Sequence, residues 1–233
     1  GCRGGFRGTA YRGESELRTP REFWDESVRR AAGAGGSPRP SVFEGSRQAC
    51  RTFLAMLPEG GRILDFGCGL GRNALALARL GYRVAVADIS AEAVRLCRER
   101  ASREGLSLQR CSYEWGSIGA DTESFDGVLA WSVLDHMTLF EGRLVVREFA
   151  RITRPGGVLL CSFDGEEEGQ GILPHEVLAD GTIRYTGGER EGMLLRIYQN
   201  EEIAVLVEGA WEILDFAGSE RTEQRIILCR RRG

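Results

Sequence analysis

Lysine is absent from these 233 residues, histidine occurs twice, and all 31 basic residues are therefore arginine. The first absence excludes a phosphate-loop lysine, a Schiff-base lysine and a lysine general base. The seven cysteines, Cys2, Cys50, Cys68, Cys97, Cys111, Cys161 and Cys229, contain no Cys-x-x-Cys pair. An odd, scattered set argues against a disulfide framework and against a zinc site, so no metal is expected. Several lie in apolar runs, where a thiol behaves as a small hydrophobe, which is the reading for a reduced, cytoplasmic protein. No apolar run reaches membrane-span length, and the arginine-rich start carries no apolar signal core, so no membrane association is expected. Charge of either sign is not in large excess: the formal net charge is −3 and the pI about 5.7. That balance gives no global attraction to nucleic acid. No internal repeat is visible.

What is present is an ordinary soluble composition, 42% hydrophobic and 28% charged, in a chain long enough for a real core. Residues Gly1 to Arg18, rich in Gly and Arg, read as weakly ordered or ordered only by docking. "TPREFWDESVRRAA" has a helix entry, with Thr19 as cap, Pro20 in the first turn and Glu22 at capping-box spacing. Gly33 to Pro40 reads as a loop, and "SVFEGSRQACRTFLAMLPEGG" as one amphipathic helix ended by Pro58-Glu59-Gly60-Gly61. From Arg62 strands and helices alternate, which argues for a parallel sheet with helices on both faces. Residues Asp164 to Gln199 break that rhythm and read as a partly hairpin-like insertion. "NEEIAVLVEGA" reads as a short helix, and "WEILDFAG" with "QRIILCRRR" as a closing antiparallel pair.

"LDFGCGLGRN", Leu64 to Asn73, places Gly67, Gly69 and Gly71 directly after a buried strand. A dinucleotide fingerprint needs a third glycine at position 72, and that residue is Arg72. The pattern is Gly-x-Gly-x-Gly with Asp65 two residues before it. With "VAVADIS" ending on the Asp88 strand, "SFDGVLAWSVLDHM" and "ARITRPGGVLLCSF", the chain resembles the class I S-adenosylmethionine-dependent methyltransferases over Arg62 to Phe163. The resemblance implies an α/β fold, a doubly wound, seven-stranded, mostly parallel sheet with an antiparallel C-terminal strand. It divides the chain into a helical cap over residues 1–58 and a Rossmann-like domain over residues 59–233, with a lid-like insertion at 164–199.

It also implies S-adenosyl-L-methionine as cofactor. The site then falls on Asp65, Gly67, Cys68, Gly69, Gly71 and Asn73 of the first motif, on Asp88 and Ile89, on Glu114 and Trp115, and on Trp131. The chemistry agrees: the cofactor's amino group suits acceptors at Asp65 and the Gly67 carbonyl. Its ribose hydroxyls suit the Asp88 carboxylate, and its adenine suits Glu114 with Ile89 and Trp115 as apolar neighbours. His136, with Asp135 before it, follows the fourth strand and is the candidate base; its alternative is a helix-start residue bonded to backbone. Trp24, His175, Arg196 and Tyr198, with Arg184 and Tyr185, are candidate contacts for a small-molecule methyl acceptor. The place of an Asn-Pro-Pro-Tyr element is taken by Trp131-Ser132-Val133-Leu134, which argues further against a nucleic-acid substrate. An RNA or protein methyltransferase and a non-catalytic cofactor-binding module stay open beside the small-molecule enzyme. A monomer or homodimer is expected.

Overall fold

The computed structural model describes residues 17–34, 40–45, 47–166, 171–218 and 223–233. The expectation for Gly1 to Arg18 lies almost wholly outside these residues, as does most of the expected loop from Gly33 to Pro40.

Seven strands form the main sheet: β1 (Arg62–Phe66), β2 (Arg83–Ala87), β3 (Gln109–Arg110), β6 (Phe125–Trp131), β7 (Thr153–Phe163), β11 (Trp211–Ala217) and β12 (Arg225–Arg231). A small hairpin, β4 (Tyr113–Glu114) and β5 (Ser117–Ile118), lies between the third and fourth of these. The spatial order is β11-β12-β7-β6-β1-β2-β3. β3, β2, β1, β6 and β7 run parallel, and β12 is antiparallel to both β7 and β11. The expected fold class is thus what the chain adopts.

The period-two alternation of the strands sorts side chains to two cores. Leu64, Phe66, Ala85 and Ala87 face one, with Val145 and Phe149 of α5 (Leu139–Ile152) and Ile203 of α6 (Asn200–Val207). Ile63, Val84 and Val86 face the other, with Phe53 of α2 (Gln48–Met56), Leu75 and Leu77 of α3 (Arg72–Arg79), and Val94 and Cys97 of α4 (Ala91–Arg103). The helix expected from Ser41 is split: a 3-10 turn spans Val42–Glu44, and α2 begins only at Gln48. Because α2 packs in this second core, the helical segment before residue 58 is not one separate layer; only α1 (Pro20–Gly33) lies outside both sheet cores.

Thr19 and Glu22 form the expected capping box of α1. The insertion folds as a three-stranded antiparallel sheet, β8 (His175–Val177), β9 (Ile183–Tyr185) and β10 (Leu194–Leu195). Phe23 of α1 joins Tyr185, Met193 and Leu195 in a third, small core, with Trp24 against it. Two segments far apart in sequence therefore form one cover over the carboxyl ends of the parallel strands.

Candidate functional site

β1 delivers the chain into the glycine loop, and the backbone there explains its composition. Gly67, Gly69 and Gly71 have φ of 74°, 50° and 85°, the left-handed region that other residues avoid. Each glycine has its own second reason. A Cβ on Gly67 would lie 2.6 Å from Val133 Cγ2, and one on Gly71 would lie 2.6 Å from Cys97 Sγ. A Cβ on Gly69 would meet nothing within 4 Å. The first and last are packed against protein; the middle one faces open space.

That space is a cavity of about 210 Å³ at the ends of β1 and β2, lined on the sheet side by Gly67, Gly69, Asp88, Ile89 and Tyr113. Trp24, Ser27 and Val28 of α1 roof it, and Ser132 and His136 form the far wall. Asp88, just past β2, accepts the Gly69 N–H at Oδ2 and the Ser90 N–H at Oδ1, both at 2.9 Å. Each oxygen keeps a further lone pair for a ligand. Burial pushes its pKa up, against those two bonds, and the nearby Asp25 of α1 adds to the rise. Asp65 is buried at the root of the loop. Burial raises its pKa to about 7, and its Oδ2 has no hydrogen-bond partner among the described residues.

His136 ends a 3-10 turn, Leu134–His136, after β6. Its Nδ1 lies 3.1 Å from the Leu194 carbonyl of β10. A carbonyl only accepts, so Nδ1 carries the hydrogen of this bond. The ring packs edge-on to Trp24 with centroids 4.8 Å apart. Beyond this pair lies a second cavity of about 320 Å³, lined by Phe23, Asp164, Glu189, Arg190, Met193 and Leu195 among others and sharing Trp24, Ser27 and His136 with the first. A third, polar cavity of about 370 Å³ shares Ser132 with the first and Asp164 with the second. Arg47 and Arg72 line it, and Arg47 lies over the Trp131 ring, 5.7 Å from its centroid.

Other expected site residues fall elsewhere. Asn73 is buried and its Oδ1 accepts from Ser41 Oγ and the Val42 N–H, so it braces the 3-10 turn before α2. Cys68 is buried, and Trp131 lines the polar cavity but not the 210 Å³ one. Glu114 and Trp115 sit at the tip of the β4–β5 hairpin; Trp115 is 91% exposed, and neither lines the 210 Å³ cavity. Tyr113 lines it instead, edge-on to Phe66. The expected strand over Leu106 to Glu114 shortens to two residues because the chain turns into that hairpin.

Asp135 points away from the cavities. It is fully buried, its Oδ2 accepts from the Asp164 N–H at 3.1 Å, and its Oδ1 has no partner among the described residues. Burial, then the Asp164 charge, drives its pKa well up, and Asp135 lines none of the three cavities. Arg196 is buried and bonds the Asp180 carbonyl and Glu202. Tyr198 is buried in the main core against Phe163. His175 is exposed on β8, with Nδ1 2.8 Å from the Leu173 carbonyl. None of these four lines the second cavity; Trp24 does. Sequence reasoning missed Tyr113, Arg47 and Asp164. Of these only Asp164 carried a signal, as the acid closing a buried strand.

Comparison with known proteins agrees with this geometry. A family model described as a methyltransferase domain matches residues 64–161. An ubiquinone biosynthesis O-methyltransferase of Methylocella silvestris is 38% identical over 104 residues, 45% of this chain and 40% of that protein. The match spans about two fifths of the length of such curated relatives. Among solved structures, an S-adenosylmethionine-dependent methyltransferase of Methanosarcina mazei superposes with a TM-score of 0.64 at 22% identity, over 78% of this chain and 97% of that one. A magnesium protoporphyrin IX methyltransferase of Synechocystis, with S-adenosylhomocysteine bound, gives 0.63 at 18% identity over 91% and 97%. These two likenesses are of fold.

Proposed function

We propose that this chain, a member of the class I S-adenosylmethionine-dependent methyltransferases, transfers a methyl group from S-adenosylmethionine to a small-molecule acceptor. The observation that carries the reading is the cavity between the glycine loop and Asp88, which shares Trp24, Ser27 and His136 with a second cavity. The residues present fit the cofactor. Gly69 leaves a cradle empty of protein, and the buried Asp65 Oδ2 lacks a donor that an ammonium group would provide. Asp88 suits the two ribose hydroxyls, and Ile89 with Tyr113 suits the adenine.

The cofactor also carries a carboxylate, and with no lysine in the chain arginine is the abundant cation to face it. Arg47, held over Trp131 beside the cleft, is our assignment. When bound, the sulfonium supplies an electrophilic methyl group. The chain's own contribution is then to hold the acceptor in line and exclude water, which is the larger part of such catalysis. α1 and the insertion form the walls of the acceptor cavity, whose size suits a small metabolite. His136, which lines both cavities, is our candidate to take a proton from an acceptor hydroxyl or amine. Among the described residues no helix is long and apolar enough to cross a membrane, and six cysteines are buried and free. From the buried, free cysteines we read the protein as cytoplasmic, and we expect a monomer or homodimer.

The test is twofold. Calorimetry should find binding of S-adenosylmethionine and S-adenosylhomocysteine and none of NAD. A metabolite extract incubated with S-adenosylmethionine should yield products heavier by one CH2 in mass spectrometry. NAD binding without S-adenosylmethionine binding would sink the reading.

A further inference from the structure

Asp164, the first residue after β7, is fixed by four partners. Its backbone N–H donates to the buried Asp135 carboxylate at 3.1 Å, and its carbonyl accepts from the buried Arg225 guanidinium at 2.9 Å. On its side chain, Oδ1 accepts from Ser132 Oγ at 2.9 Å and from Gln224 Nε2 at 2.8 Å. Ser132 reaches that bond from a left-handed backbone, φ 49°, a conformation disfavoured for serine. Both donors go to one oxygen. Oδ2 takes no bond among the described residues, and the side chain lines the second cavity and the polar one.

A carboxylate with one oxygen pinned and the other presented to a cavity is the arrangement of a preorganised acceptor. The two arginines of the second cavity already have partners: Arg30 pairs with Glu26 at 2.8 Å, and Arg190 donates to the Tyr185 hydroxyl at 3.3 Å. Glu189 adds a second acid to the lining. Asp164 is absent from the lining of the glycine-loop cavity and shares the second cavity with His136 and Trp24.

We propose that Asp164 is a specificity residue whose Oδ2 accepts a hydrogen bond from a hydroxyl or amine of the methyl acceptor, at a group other than the one methylated. The inference rests on the methyl-transfer reading above. It requires that true acceptors carry a second donor and that their products keep it.

The variant that isolates the role is Asp164→Asn. The amide oxygen can still accept from Ser132 and Gln224, while Oδ2 becomes an N–H donor that faces the ligand's donor. Wild type and variant are given a metabolite extract and deuteromethyl-labelled S-adenosylmethionine, and labelled products are identified by mass spectrometry. Exchangeable hydrogens are counted in heavy water, and fragment composition tells hydroxyl from amine. We expect every major wild-type product to retain an exchangeable O–H or N–H. The variant should form these products at least about tenfold more slowly. Its affinity for S-adenosylhomocysteine should stay within about twofold, and its melting temperature within about 3 °C. Equal product formation by the variant, products without exchangeable hydrogens, or an S-adenosylhomocysteine affinity that falls as far as the rate would each overturn the assignment. A wild-type chain that binds S-adenosylhomocysteine yet labels nothing would overturn the methyl-transfer reading itself, and this inference with it.

Discussion

A carboxyl with a pKa of about 7 is half protonated at neutral pH, and Asp65 is in that position because burial outweighs the bond it receives from the Ala74 N–H. Its Oδ2 is without a partner among the described residues. An ammonium group brought against that oxygen favours the ionised form. Binding of the cofactor's amino group should therefore expel the remaining proton. The linkage gives about 0.5 proton released per ligand at pH 7, about 0.9 at pH 6 and about 0.1 at pH 8. Titration calorimetry of S-adenosylhomocysteine in phosphate and in Tris reads this directly, because the released proton adds each buffer's own heat. Asp65→Asn should bind more weakly and with no proton release. Intact binding with the same heat in both buffers would refute the reasoning, and so would unchanged release from the Asn variant. The free protein carries the same linkage with a definite sign. The folded state holds this proton more tightly than an unfolded carboxyl of pKa about 3.9. The group's contribution to stability thus falls as pH rises from about 4 through about 7, and Asp65→Asn should remove that slope from a denaturation series.

Arg47→Met should cost the chain its preference for the cofactor's carboxylate. The wild type should bind S-adenosylmethionine about tenfold or more tightly than its decarboxylated analogue, and the variant should bind the two alike. An equal loss for both ligands would remove Arg47 from the carboxylate. The glycines separate binding from stability. Gly69→Ala, at φ 50° with open space around it, should lower stability by only about 1 kcal/mol while weakening S-adenosylhomocysteine binding. Gly71→Ala meets Cys97 Sγ at 2.6 Å and Leu75 Cδ1 at 2.8 Å, and should cost a further 1–3 kcal/mol or so, read as a lower melting temperature. The reverse order of effects would contradict the loop geometry.

The glycine loop, the alternating strands and the closing antiparallel pair were legible because each depends on local pattern. A buried strand followed by Gly67-Cys68-Gly69 needs no tertiary partner to be recognised, and Thr19 with Glu22 announces its helix by spacing alone. Arg196 and Tyr198 show where that ends. Their side-chain types suit a binding pocket, but the short sheet of the insertion turns Arg196 toward Asp180 and Glu202 and sends Tyr198 into the core beside Phe163. Asp135 fails for a similar reason: a one-residue step around a 3-10 turn separates it from His136 and sends it inward, where it anchors Asp164. Arg47 could not be read from sequence at all, since its place beside Trp131 follows from how the turn before α2 lies across the end of β6.

The small core shared by α1 and the β8–β10 sheet has a kinetic consequence. Phe23 ties α1 to Tyr185, Met193 and Leu195, so lifting either segment alone would bare apolar surface that the other now covers. The same helix roofs the glycine-loop cavity and walls the second one through Trp24 and Ser27. On the proposed methyl-transfer reading, one movement of this shared cover should open both cavities. The expected turnover on that reading is ordered: the ligand seated against Gly69 and Asp88 should enter first and leave last. Product-inhibition patterns would register this as competition between S-adenosylhomocysteine and S-adenosylmethionine, and non-competition against the acceptor.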